Sequence, residues 1–144
     1  KALFLILKYL KKLMYWWIRM TKFLIIFLGG GLGSILRYLI SISYLKNVVI
    51  YNIPIAILSV NILGSFIFGL FIGITLSKLV IDPNIKIFIT SGVLAAFTTF
   101  STFAWEAVSM IENELYINAF MYCIISVALS VLLCWYGYIL GKGM

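Results

Sequence analysis

After Met20 the chain is dominated by four apolar runs, at about residues 23 to 44, 54 to 77, 86 to 110 and 117 to 140. Each is near the roughly 20 residues that a helix needs to cross the hydrocarbon of a bilayer. The interruptions between them are short and hold the turn chemistry: Lys46 with Asn47, Asp82-Pro83-Asn84, and Glu112-Asn113-Glu114. Loops this short force successive helices to run antiparallel and leave no room for a soluble domain. A backbone in lipid must satisfy its own hydrogen bonds, and long unbroken runs suit helices rather than the alternating pattern of a barrel. With 65% of its 144 residues hydrophobic and 10% charged, the chain has too little polar surface to coat a water-soluble globule, which is about 50% apolar and about 25% charged. The expectation is an all-α, multi-pass integral membrane protein, one compact unit of four transmembrane helices in the lipid bilayer with no nucleic-acid partner.

Residues 1 to 19, KALFLILKYLKKLMYWWIR, behave differently. At about 100° per residue, Lys1, Lys8, Lys11, Lys12 and Arg19 fall within an arc of roughly 100°, while Leu, Ile and Trp fill the remainder. The pattern predicts an extra N-terminal amphipathic helix lying in the headgroup plane, because a spanning helix would place Lys8, Lys11 and Lys12 near mid-bilayer. A cleavable signal peptide is a poor match, since the apolar run before Lys8 is short and no small-residue cleavage site follows. The chain thus divides into a basic extension over residues 1–20 and a four-helix membrane domain over residues 21–144. A competing reading starts the native chain at Met20.

Charge placement distinguishes the two readings. Beyond Met20, the side holding the N-terminus has Lys22, Lys78, Lys86 and Lys142, and the other has Lys46 with Arg37 near its helix end, a weak orientation signal. A chain with so little bias can insert both ways. The five bases of the extension set nine against two, which favours a cytoplasmic N-terminus.

The first span contains GGGLGSILRY (29–38), where Gly30, Gly33 and Ser34 let another helix approach closely. The run matches a dinucleotide glycine motif only superficially, because no strand-turn-helix context surrounds it. Arg37 reads either as an interfacial anchor or as an anion attractor. In SVNILGSFIFGLFIG (59–73), Ser65, Gly69 and Gly73 recur every fourth residue and make a smooth stripe for helix contact. Asn61 is the polar exception, either interhelical glue or a pore-lining donor.

The third span carries FTTFSTF (97–103), with Thr98, Thr99, Ser101 and Thr102 between three phenylalanines. One or two hydroxyls can bond back to their own helix. Four in five positions fit a place where the helix is interrupted and hydroxyls compensate freed backbone groups. The phenylalanine ring edges carry the positive end of the aromatic quadrupole and can face a partly dehydrated anion. Glu106 is the one acid placed within a span, and it reads as functional or as a helix-end residue paired with a base such as Arg37. In the fourth span Tyr122, Ser126 and Ser130 repeat at i, i+4, i+8 and form one polar stripe, able to replace part of an ion's hydration shell without adding charge. Cys123 and Cys134, about 16 Å apart along one helix, cannot bridge and read as apolar fillers. The chain has no His, so a Ser or Thr nucleophile would lack its usual base, and an enzyme is not expected.

Across residues 21 to 144 these segments together resemble the Fluc (CrcB-type) fluoride channel family. The matches are the small-residue run ending in Arg37-Tyr38, the VNxxGSFxxG pattern from Val60 to Gly69, and above all TTFSTFxxE from Thr98 to Glu106. The resemblance implies a passive, fluoride-selective channel that exports fluoride across the cell inner (plasma) membrane. It also implies a third helix that is broken, and subunits assembled as an antiparallel, dual-topology dimer with two pathways and a central structural sodium ion. Carried over residue by residue, Phe100 and Phe103 look like the pore phenylalanines, Asn61 like the pore asparagine, and Ser126 and Ser130 with Tyr122 like the polar track. Thr99, Ser101 and Thr102 match the hydroxyls around the break, Glu106 and Arg37 belong to the vestibules, and the carbonyls of Ala95 and Thr98 would ligate sodium.

Two departures stand out. Family members commonly have Gly-Gly where this chain has Ala95-Ala96, and Gly-Thr where it has Ala56-Ile57. If the break needs positive φ, an alanine Cβ penalises it, and Ile57 removes a hydroxyl near Asn61. Weak charge bias suits a homodimer, whereas a fixed orientation set by residues 1 to 19 suits a heterodimer with a related chain. The alternatives are a small multidrug or guanidinium-type exporter, disfavoured because its first helix needs an acid, and a non-transporting membrane subunit, which leaves the Thr/Ser/Phe cluster unexplained.

Overall fold

The computed structural model describes residues 2 to 77 and 80 to 144; Lys1 and Lys78, both in the charge count, lie outside the described residues. Four helical stretches are long and apolar enough to cross a membrane: Lys8–Ile42, Ile55–Ser77, Pro83–Glu112 and Tyr116–Gly143. The first belongs to α1 (Ala2–Ile42), a single helix of 41 residues. The basic extension and the first span are therefore one helix, with no break near Met20. No Gly or Pro falls between Ala2 and Leu28, so nothing local stops the helix where the hydrophobic pattern changes. At 1.5 Å per residue α1 is roughly 61 Å long, about twice the hydrocarbon thickness.

A short 3-10 turn (Tyr44–Asn47) leads into a two-stranded hairpin, β1 (Val49–Ile50) and β2 (Ile53–Pro54), which the hydrophobic pattern does not reveal. Its two-residue turn puts Tyr51 at φ 50 and Asn52 at φ 62. That left-handed pair suits hairpin twist and is natural for Asn but not for Tyr. Asn118 Nδ2 donates to the Tyr51 carbonyl at 2.6 Å and pins the turn.

Then α2 (Ile55–Ser77) and α6 (Tyr116–Gly143) form the closest pair in the molecule. A Cβ on Gly69 would fall inside the Cys134 carbonyl, and one on Gly137 inside the Phe66 carbonyl. Each helix thus presses a glycine onto the other's backbone, the use of small residues expected where lipid offers no hydrophobic drive. Ser65, one turn before Gly69, lines a cleft with Ser126 and Ser130 of α6.

The third span is composite. It comprises α3 (Pro83–Ile87), a π-helical stretch (Phe88–Leu94), α4 (Ala95–Phe97) and α5 (Phe100–Glu112). Asp82 starts it, accepting from the Asn84 amide at 2.7 Å ahead of Pro83. The π stretch packs on α1, where Gly29 lies against Phe88 and Gly92 and Gly33 against Val93. Of the small residues expected to make this contact, Gly33 does, Gly30 has open space and Gly29 takes its place. A buried cluster of Ile57, Leu58, Phe103, Ala107, Met110, Ala119 and Tyr122 joins α2, α5 and α6 at the hairpin end.

Candidate ion pathway at the third span

Between α4 and α5 the backbone leaves helical geometry at two residues. Thr98 has ψ 155, and Thr99 has φ −150 and ψ 123. A freed amide here needs a partner, and side chains supply those of Thr99 and Thr102. Asn61 of α2 acts as a two-point clamp: the Thr99 amide donates to its Oδ1 at 2.8 Å, and its Nδ2 donates to the Thr99 carbonyl at 3.0 Å. Thr99 also caps α5, its Oγ1 accepting from the Thr102 amide at 3.3 Å and lying 3.2 Å from the hydroxyls of both Ser101 and Thr102. Arg37 Nε donates to the Ala96 carbonyl at 3.1 Å, so its partner is the backbone rather than Glu106.

The diverted amides leave two carbonyls without their helical donors. In a continuous helix the Thr99 amide would bond to Ala95 O and the Thr102 amide to Thr98 O; here they go to Asn61 and to Thr99 Oγ1. No positive φ is needed for this geometry. Ala95 has φ −66 and ψ −33, and Tyr51, Asn52 and Glu114 are the positive-φ non-glycine residues among those described. The methyl groups of Ala95 and Ala96 therefore do not obstruct the interruption.

On one side of it, Asn61, Ser65, Thr98, Thr99, Phe100, Phe103, Ser126, Val127, Ser130 and Val131 line an open cleft of about 280 Å³. The elements position these side chains simply: Asn61 and Ser65 share a face of α2 at i, i+4, Ser126 and Ser130 do so on α6, and Phe100 and Phe103 lie one turn apart on α5. Phe100 is 76% exposed and Phe103 is buried. Their ring centroids are 5.3 Å apart, and Phe103 stands 5.2 Å from the Tyr122 ring. The buried Ser126 Oγ makes no well-formed hydrogen bond, although it lies close to the Tyr122 hydroxyl.

Not every residue singled out in the sequence meets at this cleft. Thr102 lines a smaller one, about 180 Å³, with Ser34, Arg37, Tyr38, Ser41 and Ile57. Ser101 is exposed, and fully buried Tyr122 donates its hydroxyl to Glu106 Oε2. Glu106 in turn lines a third cleft at the hairpin end with Asn52, Trp105, Ser109 and Asn113. Glu106 and Tyr122 thereby link the ring contacts of Phe100, Phe103 and Tyr122 to that third cleft. The sequence reading missed Ser65 as a lining residue, although its spacing from Asn61 places it there, and missed Gly137 and Gly141, whose i, i+4 spacing repeats that of Gly69 and Gly73.

Comparison with known proteins places the chain in a family. The family model described as CrcB-like protein, Camphor Resistance (CrcB), matches residues 24–138. The fluoride-specific ion channel FluC 1 of Staphylococcus aureus strain Mu50 is 36% identical over 133 residues, covering 92% of this chain and 88% of that protein. The fluoride-specific ion channel FluC of Phocaeicola vulgatus is 42% identical over 113 residues, 78% of this chain and 92% of the relative. That of Nautilia profundicola is 39% identical over 111 residues, 77% and 86%. These relatives are named as ion channels rather than enzymes, and with a matched region that includes every residue lining the cleft, the chain belongs to the CrcB-like family.

Proposed function

We propose that this chain is the subunit of a passive, fluoride-selective channel in the cell inner (plasma) membrane. The observation that carries the reading is the cleft itself: an unpartnered buried hydroxyl, Ser126 Oγ, faces the same space as Asn61, Ser130 and two phenylalanines, with no fixed charge among the lining residues. A small anion that sheds water there meets hydroxyl donors, aromatic ring edges and the N-terminus of α5, whose macrodipole is positive at that end. None of these holds the ion strongly enough to trap it, which is what conduction requires.

A central sodium ion at the interruption is the second part of this proposal. The carbonyls of Ala95 and Thr98, which have lost their helical amide donors, would hold it, and its chemistry there is to neutralise converging carbonyl dipoles. The third helix is then a broken helix whose two ends serve opposite charges. An antiparallel, dual-topology dimer is supported by the cleft being open along one side and by the exposure of Phe100, which a second copy would cover.

Fluoride efflux from liposomes that contain the purified full chain, with chloride as the comparison anion and no proton gradient, tests the class of transport. Fluoride efflux well above that of chloride is expected. Transport that needs a proton gradient and an organic cation would replace this reading with the exporter.

A further inference from the structure

We infer that the face of α1 between Lys8 and Lys22 is a binding surface for anionic phospholipid headgroups, on the side of the membrane where α1 begins and α6 ends. At about 100° per residue Lys8, Lys11, Lys12, Arg19 and Lys22 share one arc of roughly 100°, and all five are exposed. Tyr15 lies in the same arc, with the Arg19 guanidinium 5.9 Å from its ring centroid. Trp16 and Trp17, exposed by 59% and 75%, stand outside it. Basic side chains beside tryptophan and tyrosine make the composition of a membrane interface.

Depth agrees with composition. Gly29 is packed against Phe88 and Gly92, and the third span begins at Pro83, about 8 Å before Phe88 along the axis. Lys22 precedes Gly29 by about 10 Å, so the stripe starts near the level where the third span starts and runs outward. The first buried residue of α1 among those described is Gly29, so the stretch before it is not covered by the rest of the chain.

The counter-charge also has to come from outside. The chain has no acid before Asp82, whose exposed carboxylate accepts from the Asn84 amide and is one charge against the five bases of the stripe, and Glu106 is bonded to Tyr122. Glu112 and Glu114 lie at the opposite end of the third span. A soluble acidic partner would neutralise the stripe and leave the apolar remainder of the helix in water, whereas a bilayer surface accepts both. The helix has a place to bend toward that surface: Thr21 Oγ1 donates to the Trp17 carbonyl at 2.9 Å, a back-bond of the kind that bends helices.

The test is amide exchange over residues 8 to 20 of the full chain in vesicles of phosphatidylcholine, alone or mixed with phosphatidylglycerol. Each base near an anionic surface is worth roughly a fivefold gain in partitioning, so exchange at least about tenfold slower in the anionic vesicles is expected. Lys8→Gln with Lys11→Gln and Lys12→Gln should reduce the difference at least severalfold, Arg19 and Lys22 retaining the remainder, and added salt should abolish it, while fluoride efflux by the variant stays at the parent level. Equal exchange in the two lipids, protected or not, or a difference undiminished by the triple substitution, would overturn the assignment. This inference does not depend on which ion the cleft passes.

Discussion

The seam between α2 and α6 and the interruption of the third span answer the same constraint in opposite ways. Both bring backbone into close contact inside an apolar solvent that hydrogen-bonds nothing. In the seam, Gly69, Gly73, Gly137 and Gly141 remove side chains so that intact helices touch. At the interruption, amides and carbonyls leave their helix, and Asn61, Arg37 and Thr99 bring polar groups from three elements to receive them. The seam builds a scaffold with no chemistry of its own. The interruption, mounted on that scaffold, exposes dipoles of both signs at one place, and that is where the cleft lies.

The largest expected effect is on the seam. Gly69→Val with Gly137→Val drives two side chains into backbone that cannot move aside, at about 1–3 kcal/mol or more each. Thermal unfolding in detergent should show loss of the cooperative folded state. A midpoint close to the parent's would mean that the seam is not the scaffold.

Asn61→Leu comes next. It strands the Thr99 amide, which costs about 1–3 kcal/mol when buried without a partner, and removes the second donor to the Thr99 carbonyl. Fluoride efflux should be lost and the unfolding midpoint lowered. Asn61→Asp retains the acceptor for the Thr99 amide but not the donor to its carbonyl, and should fall between the two. If Asn61→Asp and Asn61→Leu prove equally stable, the clamp is not two-pointed.

Thr99→Val removes the cap of α5 while keeping the shape, for about 1 kcal/mol. The protein should stay folded and conduct less than the parent; an unchanged midpoint would show that the hydroxyl does not hold the α5 terminus. The smallest effect belongs to Gly30→Ala. With nothing within 4 Å of the added methyl, stability should change by no more than about 1 kcal/mol, in the favourable direction, and efflux should be unaltered. Its neighbour Gly33→Ala, aimed at the Val93 carbonyl, should be clearly destabilising in the same assay.

The same contrast explains what the sequence disclosed. Apolar runs announce spans because length and composition act residue by residue, and they located all four, although α1 continues N-terminal to the first of them. That continuity was not legible because amphipathicity reports what surrounds a helix, whereas continuity depends on the absence of Gly and Pro from Ala2 to Leu28. The hairpin was invisible because two-residue strands carry no period and its turn places Tyr51 in a conformation that tyrosine rarely adopts. The π-helical stretch was invisible because no residue type marks it.

At the site, hydroxyl crowding in FTTFSTF drew attention to the segment where Thr98 and Thr99 are extended. The partner of Asn61 could not be read, since spacing within α2 says nothing of which carbonyl lies opposite. For the same reason Thr102 was grouped with its sequence neighbours although it faces the cleft of Arg37.

The most direct test of the proposed pathway is fluoride efflux from liposomes by the parent chain and by Phe100→Ile, with unfolding followed in parallel. Phe100 is 76% exposed and meets the buried Phe103 through one ring contact, so its replacement removes little of the chain's own packing. Efflux by the parent and its loss in a variant of unchanged unfolding midpoint is the predicted result. A silent parent that is folded and reconstituted, or a variant that conducts as the parent does, would contradict a fluoride path through this cleft.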